Sequence, residues 1–242
     1  MCGTCGCGES APGGHGHAHA SDARRIAVEE SLLAENDRHA AQLAASLRAR
    51  GIDAIGLVGG PGAGKTTLLE ATLARLGDRG ADAVVEGDCA GDLDAKRIAA
   101  AGARVAQVET GSLCHLDAHL VGHALESLDL SGVRRVWIEN VGNLVCPAAF
   151  ACGESRRVVL VSVAEGDDKP EKYPAILAGA DLLLVTKSDL VPHVDFDVAR
   201  CIARARRVAP GLPAIVLSAR TGEGLEPWLD WVRGKAAAAS AG

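Results

Sequence analysis

Residues 59–66 read Gly-Gly-Pro-Gly-Ala-Gly-Lys-Thr, and no other stretch limits so tightly what the chain can fold into. The run fits G-x-x-x-x-G-K-[ST], a loop whose backbone N–H groups wrap the phosphates of a nucleotide. Its glycines allow backbone angles and close approaches that a side chain would forbid. Lys65 can reach the β and γ oxygens, and the Thr66 hydroxyl can ligate Mg²⁺. Asp53–Val58 reads as a buried strand feeding the loop, and Thr66–Leu76 as the helix leaving it, with its positive end at the same site. Gly59, Gly60, Pro61, Gly62, Ala63, Gly64, Lys65, Thr66 and the adjoining Thr67 are therefore the phosphate-binding candidates.

The apolar runs that follow are spaced as a βαβ series. Strands are expected at 83–88, 104–109, 135–142, 158–163, 182–189 and 214–218, giving seven with the first. Near-continuous apolar strands alternating with helices mean a mostly parallel sheet flanked by helices, an α/β P-loop NTPase. Ligands then sit beyond the carboxyl ends of the strands. With 48% hydrophobic but only 2% aromatic residues, Ala, Val and Leu must build the core. The net charge of −6 without a basic stripe argues against nucleic acid as a partner. No apolar run approaches a membrane span and no secretory segment is evident, so the expected location is the cytoplasm.

Ahead of this domain (52–242) two segments are expected. Residues 21–51 read as one long helix, with Ile26, Leu33, Ala40 and Leu47 seven apart on one face and Gly51 placed to close it. Residues 1–20 read as a disordered metal-binding tail. Cys2, Cys5 and Cys7 offer three thiolates to one soft or borderline ion, and His15, His17 and His19 follow. Of the other cysteines, Cys89, Cys152 and Cys201 are expected to act as small buried hydrophobes. His119 and His123 are expected on a solvated helix face.

The base has its own signal. Thr186-Lys187-Ser188-Asp189 has the form N/T-K-x-D, in which a carboxylate accepts from the two N–H donors on the guanine edge. Adenine would set an acceptor against that charge, so discrimination is strong. Thr186 in place of Asn is expected to weaken the tethering of this loop. Ser218-Ala219-Arg220 has the form of a backbone loop covering the base. Lys187, Asp189, Ser218, Ala219 and Arg220 thus join the nucleotide site. For Mg²⁺ the acids at strand ends, Asp88 and Glu139, join Thr66 as candidates. Lys65, Thr66 and Glu139 are the residues expected to carry hydrolysis. Glu139-x-x-Gly142 is followed by Asn143, where small GTPases carry a water-orienting Gln, so turnover should be slow.

Together these runs resemble the hydrogenase nickel-incorporation GTPases of the HypB family, relatives of the urease chaperone UreG. The resemblance extends from Cys2 to about Trp231. It rests on Met1-Cys-x-x-Cys-Gly-Cys7, Glu86-Gly-Asp88, Thr110-Gly-x-x-Cys-His-Leu-Asp-Ala118, Ile138-Glu-Asn-Val-Gly-Asn-Leu-Val-Cys-Pro147 and Glu165-Gly-Asp-Asp-Lys-Pro170. It implies a tight nickel site at Cys2, Cys5 and Cys7. It also implies a second site at Cys114, His115 and Cys146, for nickel or alternatively zinc, shared across a nucleotide- or metal-dependent homodimer. By the same resemblance the expected partners are a HypA-type nickel chaperone and the [NiFe]-hydrogenase large subunit. A P-loop small-molecule kinase and a passive nickel store are the competing expectations. Intact Lys65, Thr66 and Asp189 speak against the store, and the tail thiols against the kinase.

Overall fold

A computed structural model describes residues 16–88, 93–111 and 114–234. The chain divides into two units, residues 1–35 and 36–242. In the first, the described residues are helical from Gly16, earlier than the sequence pattern predicts. Helix α1 (Gly16–Ala49) ends in the second unit by a Schellman closure. Gly51, at φ 70°, donates to the Arg48 carbonyl, and Ile52 donates to the Leu47 carbonyl. The Cys2, Cys5 and Cys7 expectation falls outside the described residues, as do the side chains of His15, His17 and His19.

The second unit is built on a seven-stranded sheet: β1 (Asp53–Gly59), β2 (Asp82–Asp88), β3 (Arg104–Glu109), β4 (Arg135–Glu139), β5 (Arg156–Ser162), β6 (Leu182–Thr186) and β7 (Ala214–Val216). The spatial order is β3-β2-β4-β1-β5-β6-β7 and every pairing is parallel. The helices α2 (Lys65–Leu76), α3 (Leu93–Ala100), α4 (Ala118–Glu126), α6 (Val198–Val208) and α7 (Leu225–Val232), with the short turn α5 (Lys169–Lys172), supply the crossovers and flanks. β1 lies centrally because its side chains are buried on both faces, as the apolar run Ala-Ile-Gly-Leu-Val requires.

Two cores result. On one face Ile55, Leu57 and Leu160 meet Leu68, Leu69 and Leu73 of α2, Ile98 of α3, and Trp228 of α7. On the other, α4 and the end of α1 cover β1, β2 and β4, while α6 covers β5 and β6. The two largest buried side chains bury no unpaired N–H: Trp137 donates to Asp82 at 2.9 Å and Trp228 to the Thr72 hydroxyl at 2.8 Å. Cys152 and Cys201 are buried as expected of small hydrophobes, and burial pushes the Cys201 thiol up to about 11. Cys89 lies outside the described residues. Among the described residues no helix is long and apolar enough to cross a membrane.

Four strands depart from the sequence pattern by two residues or more. β6 stops at Thr186 rather than Asp189 and β7 at Val216 rather than Ser218, as the chain turns into the loops expected to read the base. β4 stops at Glu139 rather than Gly142: the Asn140 N–H makes the last bond of the parallel ladder, to the Leu57 carbonyl, and the chain then turns off the sheet. β5 begins at Arg156, two residues early, since Arg156 pairs with Asp53 and Arg157 with Glu154, at 2.7 Å from Nε.

Candidate functional site

Gly64 caps α2 at φ 92°, a left-handed angle that a side chain would strain, and this lets the loop turn sharply into the helix. A second glycine is needed opposite. A Cβ on Gly142 would stand 2.8 Å from the Pro61 Cα, so the segment after β4 lies flat on the phosphate loop. Lys65 is buried, with Nζ 3.4 Å from the carbonyls of Gly59 and Gly60. The groove in front of it, about 580 Å³, is lined among others by Thr66, Thr67, Glu86, Asp94, Arg97 and Glu139.

Thr66 sits between two carboxylates. Its Oγ1 is 2.7 Å from Glu139 Oε1 and 3.1 Å from Asp94 Oδ2. One hydroxyl carries one proton, so it can donate to only one of them at a time. Burial pushes the Glu139 carboxyl up to about 7, against the Thr66 hydroxyl and the Lys65 charge, which favour its ionised form. Its Oε2 is buried with no hydrogen-bond partner. Such an orphaned oxygen beside a hydroxyl and a second carboxylate fits a hard cation taken up with phosphate oxygens. Sequence reasoning missed Asp94. Its one trace was an acid in the first turn of a helix that follows an acid-ended strand, too common a pattern to single out. Asp88 ends β2 opposite Glu109, but its side chain lies outside the described residues.

The base-reading candidates converge. A cavity of about 220 Å³ is walled by Gly64, Thr67, Lys187, Asp189, Ser218, Ala219 and Arg220, among others. The Ser218 hydroxyl donates to Asp189 Oδ1 at 2.6 Å and accepts from the Thr221 N–H, which aims the carboxylate. Lys187 is the single described non-glycine residue with positive φ, at 61°. That conformation is uncommon for a side-chain-bearing residue and brings its Cε toward Gly64. Thr186 does tether the loop: its hydroxyl donates to the Ala63 carbonyl at 2.7 Å, in a buried contact. A short side chain suffices because β6 ends against the loop. Thr186→Val should strand that carbonyl and lower stability by about 1–3 kcal/mol, read by urea unfolding. Unchanged stability would mean that the contact contributes nothing.

At the same sheet end Cys114, His115 and Cys146 meet, with ligating atoms all within 4.8 Å of one another. The sulfurs are 2.6 Å apart, and Cys114 Sγ lies 3.7 Å from His115 Nδ1. The hydrogen bond to Cys146 pushes the Cys114 thiol up, while burial lowers the His115 imidazole toward its neutral, ligating form. His115 is held by stacking on Phe150, with centroids 4.0 Å apart. Soft thiolates with an imidazole suit a zinc- or nickel-like ion. His119 and His123 are exposed on α4 as expected, and the His119 ring stands 4.5 Å from His123 and 5.6 Å from His39.

Residues 53–216 match the CobW/HypB/UreG nucleotide-binding domain. The chain belongs to that family, on its HypB branch. It is 51% identical over 222 residues to the hydrogenase maturation factor HypB of Azotobacter vinelandii, covering 90% of this chain and 73% of that protein. To HypB of Escherichia coli K12 it is 48% identical over 224 residues, covering 90% and 77%. The crystal structure of HypB from Helicobacter pylori in complex with nickel superposes with TM-score 0.79 at 35% identity, covering 83% of this chain and 94% of that one. HypB from Archaeoglobus fulgidus gives 0.77 at 40%, covering 83% and 98%. Family membership makes this a P-loop nucleotide-binding protein of the hydrogenase maturation type. Within the Glu165–Pro170 motif, Asp167 takes a structural part: it binds Arg200 Nε at 2.7 Å and Arg204, fastening the loop to α6.

Proposed function

We propose that the chain is a GTP-hydrolysing metallochaperone that carries nickel and delivers it to the large subunit of [NiFe]-hydrogenase. The observation that supports this most is the gathering of Cys114, His115 and Cys146 at the sheet end that also bears the phosphate loop. The likeness to a HypB crystallised with nickel agrees with it. Nickel is the cargo, bound by the two thiolates and the imidazole; zinc is the alternative ion. On the same reading Cys2, Cys5 and Cys7 form the tighter nickel site, a HypA-type chaperone is a partner, the protein works in the cytoplasm, and a homodimer shares the inner site.

For the nucleotide, Asp189 reads the guanine edge, Lys187 lies along the base, and residues 218–220 cover it. The phosphate loop from Gly59 to Thr67 binds the phosphates, with Lys65 on the β and γ oxygens. Thr66 and Glu139 would hold Mg²⁺, with Asp94 and Asp88 as further acids. When bound, that ion offsets the phosphate charge and orients the β and γ oxygens. Lys65 stabilises the charge that builds on the departing oxygens. Asn143 stands where small GTPases carry the water-orienting Gln, and its amide is already bonded to the Cys114 carbonyl and the Val145 N–H. Slow turnover follows, so the nucleotide acts chiefly as a timer of conformation.

The test supplies nickel-loaded chain to a purified large-subunit precursor. GTP with Mg²⁺ should move nickel several-fold faster than GDP, and Lys65→Ala should erase the difference. Failure to hydrolyse GTP, or transfer indifferent to nucleotide, would sink the reading.

A further inference from the structure

Between the phosphate loop and the sulfur pair runs one short segment, Glu139–Cys146, and it carries two asparagines with parallel duties. The Asn140 N–H donates to Leu57 O and the Asn143 N–H to Gly59 O, each at 3.1 Å. So both backbones are hung on β1 and the loop that continues it. Both side chains point the other way, to the segment bearing the metal ligands. Asn140 Oδ1 accepts from the Leu116 N–H at 2.9 Å. Asn143 Nδ2 donates to the Cys114 carbonyl at 3.3 Å, and its Oδ1 accepts from the Val145 N–H at 2.8 Å. The tripeptide Cys114-His115-Leu116 is thus gripped at both ends, and the Asn143 side chain also shapes the turn into Cys146.

From this arrangement we infer that Asn143 is the positioning residue that transmits the state of the phosphate loop to the Cys114–His115–Cys146 cluster, with Asn140 as its buried companion. The inference rests on the reading of the two sites as nucleotide and nickel sites. Its physical content is that one planar amide must donate on one side and accept on the other. Val145 offers a donor and Cys114 a carbonyl, which fixes the amide's orientation and rules out a carboxylate or an apolar isostere. Gly142 lies flat on Pro61, so a displacement of the loop backbone cannot be absorbed between Asn140 and Asn143. It is carried to both sulfur-bearing segments at once. Asn143 holds the Cys114 carbonyl, and its amide also hydrogen-bonds the Cys114 thiol, so it acts on the cluster through the backbone and the sulfur of that residue.

The test uses the full-length chain with Cys2, Cys5 and Cys7 changed to Ser, so that nickel reports the inner site. Nickel affinity is measured by chelator competition with GDP and with a non-hydrolysable GTP analogue, each with Mg²⁺. The parent should show a ratio between the two states in the range of about 5- to 150-fold. Asn143→Ala should bring that ratio close to one, with nucleotide affinity in nickel-free protein within about twofold of the parent. Asn143→Asp keeps the acceptor for Val145 and loses the donor to Cys114. With that donor gone its ratio should also fall toward one, and it serves if the alanine variant folds poorly. A parental ratio retained in Asn143→Asp would overturn the inference while leaving both sites standing. A parent that binds GTP and nickel without any ratio would overturn it too. A parent that binds no GTP or no nickel would remove the functional reading on which it rests.

Discussion

Asp189→Asn should weaken GTP binding by about 10²–10⁴-fold, the loss of two charge-assisted hydrogen bonds of about 1.5–3 kcal/mol each. The Ser218 hydroxyl, 2.6 Å from Asp189 Oδ1, aims the carboxylate into a cavity that Lys187 and Ala219 help to wall. The amide offers a donor where guanine also offers one, and this mismatch adds to the loss. Xanthosine triphosphate presents the complementary group and should gain relative to GTP. Titration calorimetry with GTP, ATP and xanthosine triphosphate measures all three. Equal affinity of the unmutated chain for ATP and GTP would refute the assignment.

Glu139→Gln should move stability and activity in opposite directions. In the folded chain burial holds the Glu139 proton until about pH 7, against an ordinary value of 4.5. Between those values the folded state binds more protons than the unfolded one, so stability falls as pH rises through that window. Above about pH 7 the loss is complete, on the order of 3 kcal/mol by the linkage of shift to free energy. The amide has no proton to lose. Free of nucleotide and metal, the variant should therefore exceed the parent by up to about 3 kcal/mol at pH 8 and match it near pH 4.5. Urea unfolding across pH reads the slope directly. Hydrolysis should drop sharply, because the neutral amide cannot hold the cation as a carboxylate does. Parallel stability profiles for parent and variant would show that the buried carboxyl is not the source of the pH dependence.

Legibility from sequence followed the range of the interaction. The phosphate loop and Thr186–Asp189 were readable because residue type, spacing and flanking strand all sit within a dozen positions. The seven-strand parallel sheet was readable for the same reason, strand by strand. Asp94 was not, because its importance comes from Thr66, which lies 28 positions away. The partner of the Thr186 tether was not readable because that carbonyl, Ala63, is 123 positions distant and is met only when β6 closes on the loop. Arg156 and Arg157 hid the start of β5, since charged residues at a strand end look like loop until Asp53 and Glu154 are seen to pair with them. Cys114 and Cys146 were paired by family resemblance; their 32-residue separation carries no signal of its own.

The segment from Glu139 to Cys146 contains eight residues, with a carboxylate beside Thr66 at one end and a thiol beside Cys114 at the other, the phosphate and metal sides of the proposed reading. It works as a gauge block between two workpieces. Its length is set by covalent geometry, and Gly142 against Pro61 leaves no slack to take up an error. On the proposed reading, an insertion or deletion meant to move Cys146 would alter the seating of Glu139 as well, so the metal site is better reshaped by side-chain replacement, or from Cys114 and His115, which lie off the block.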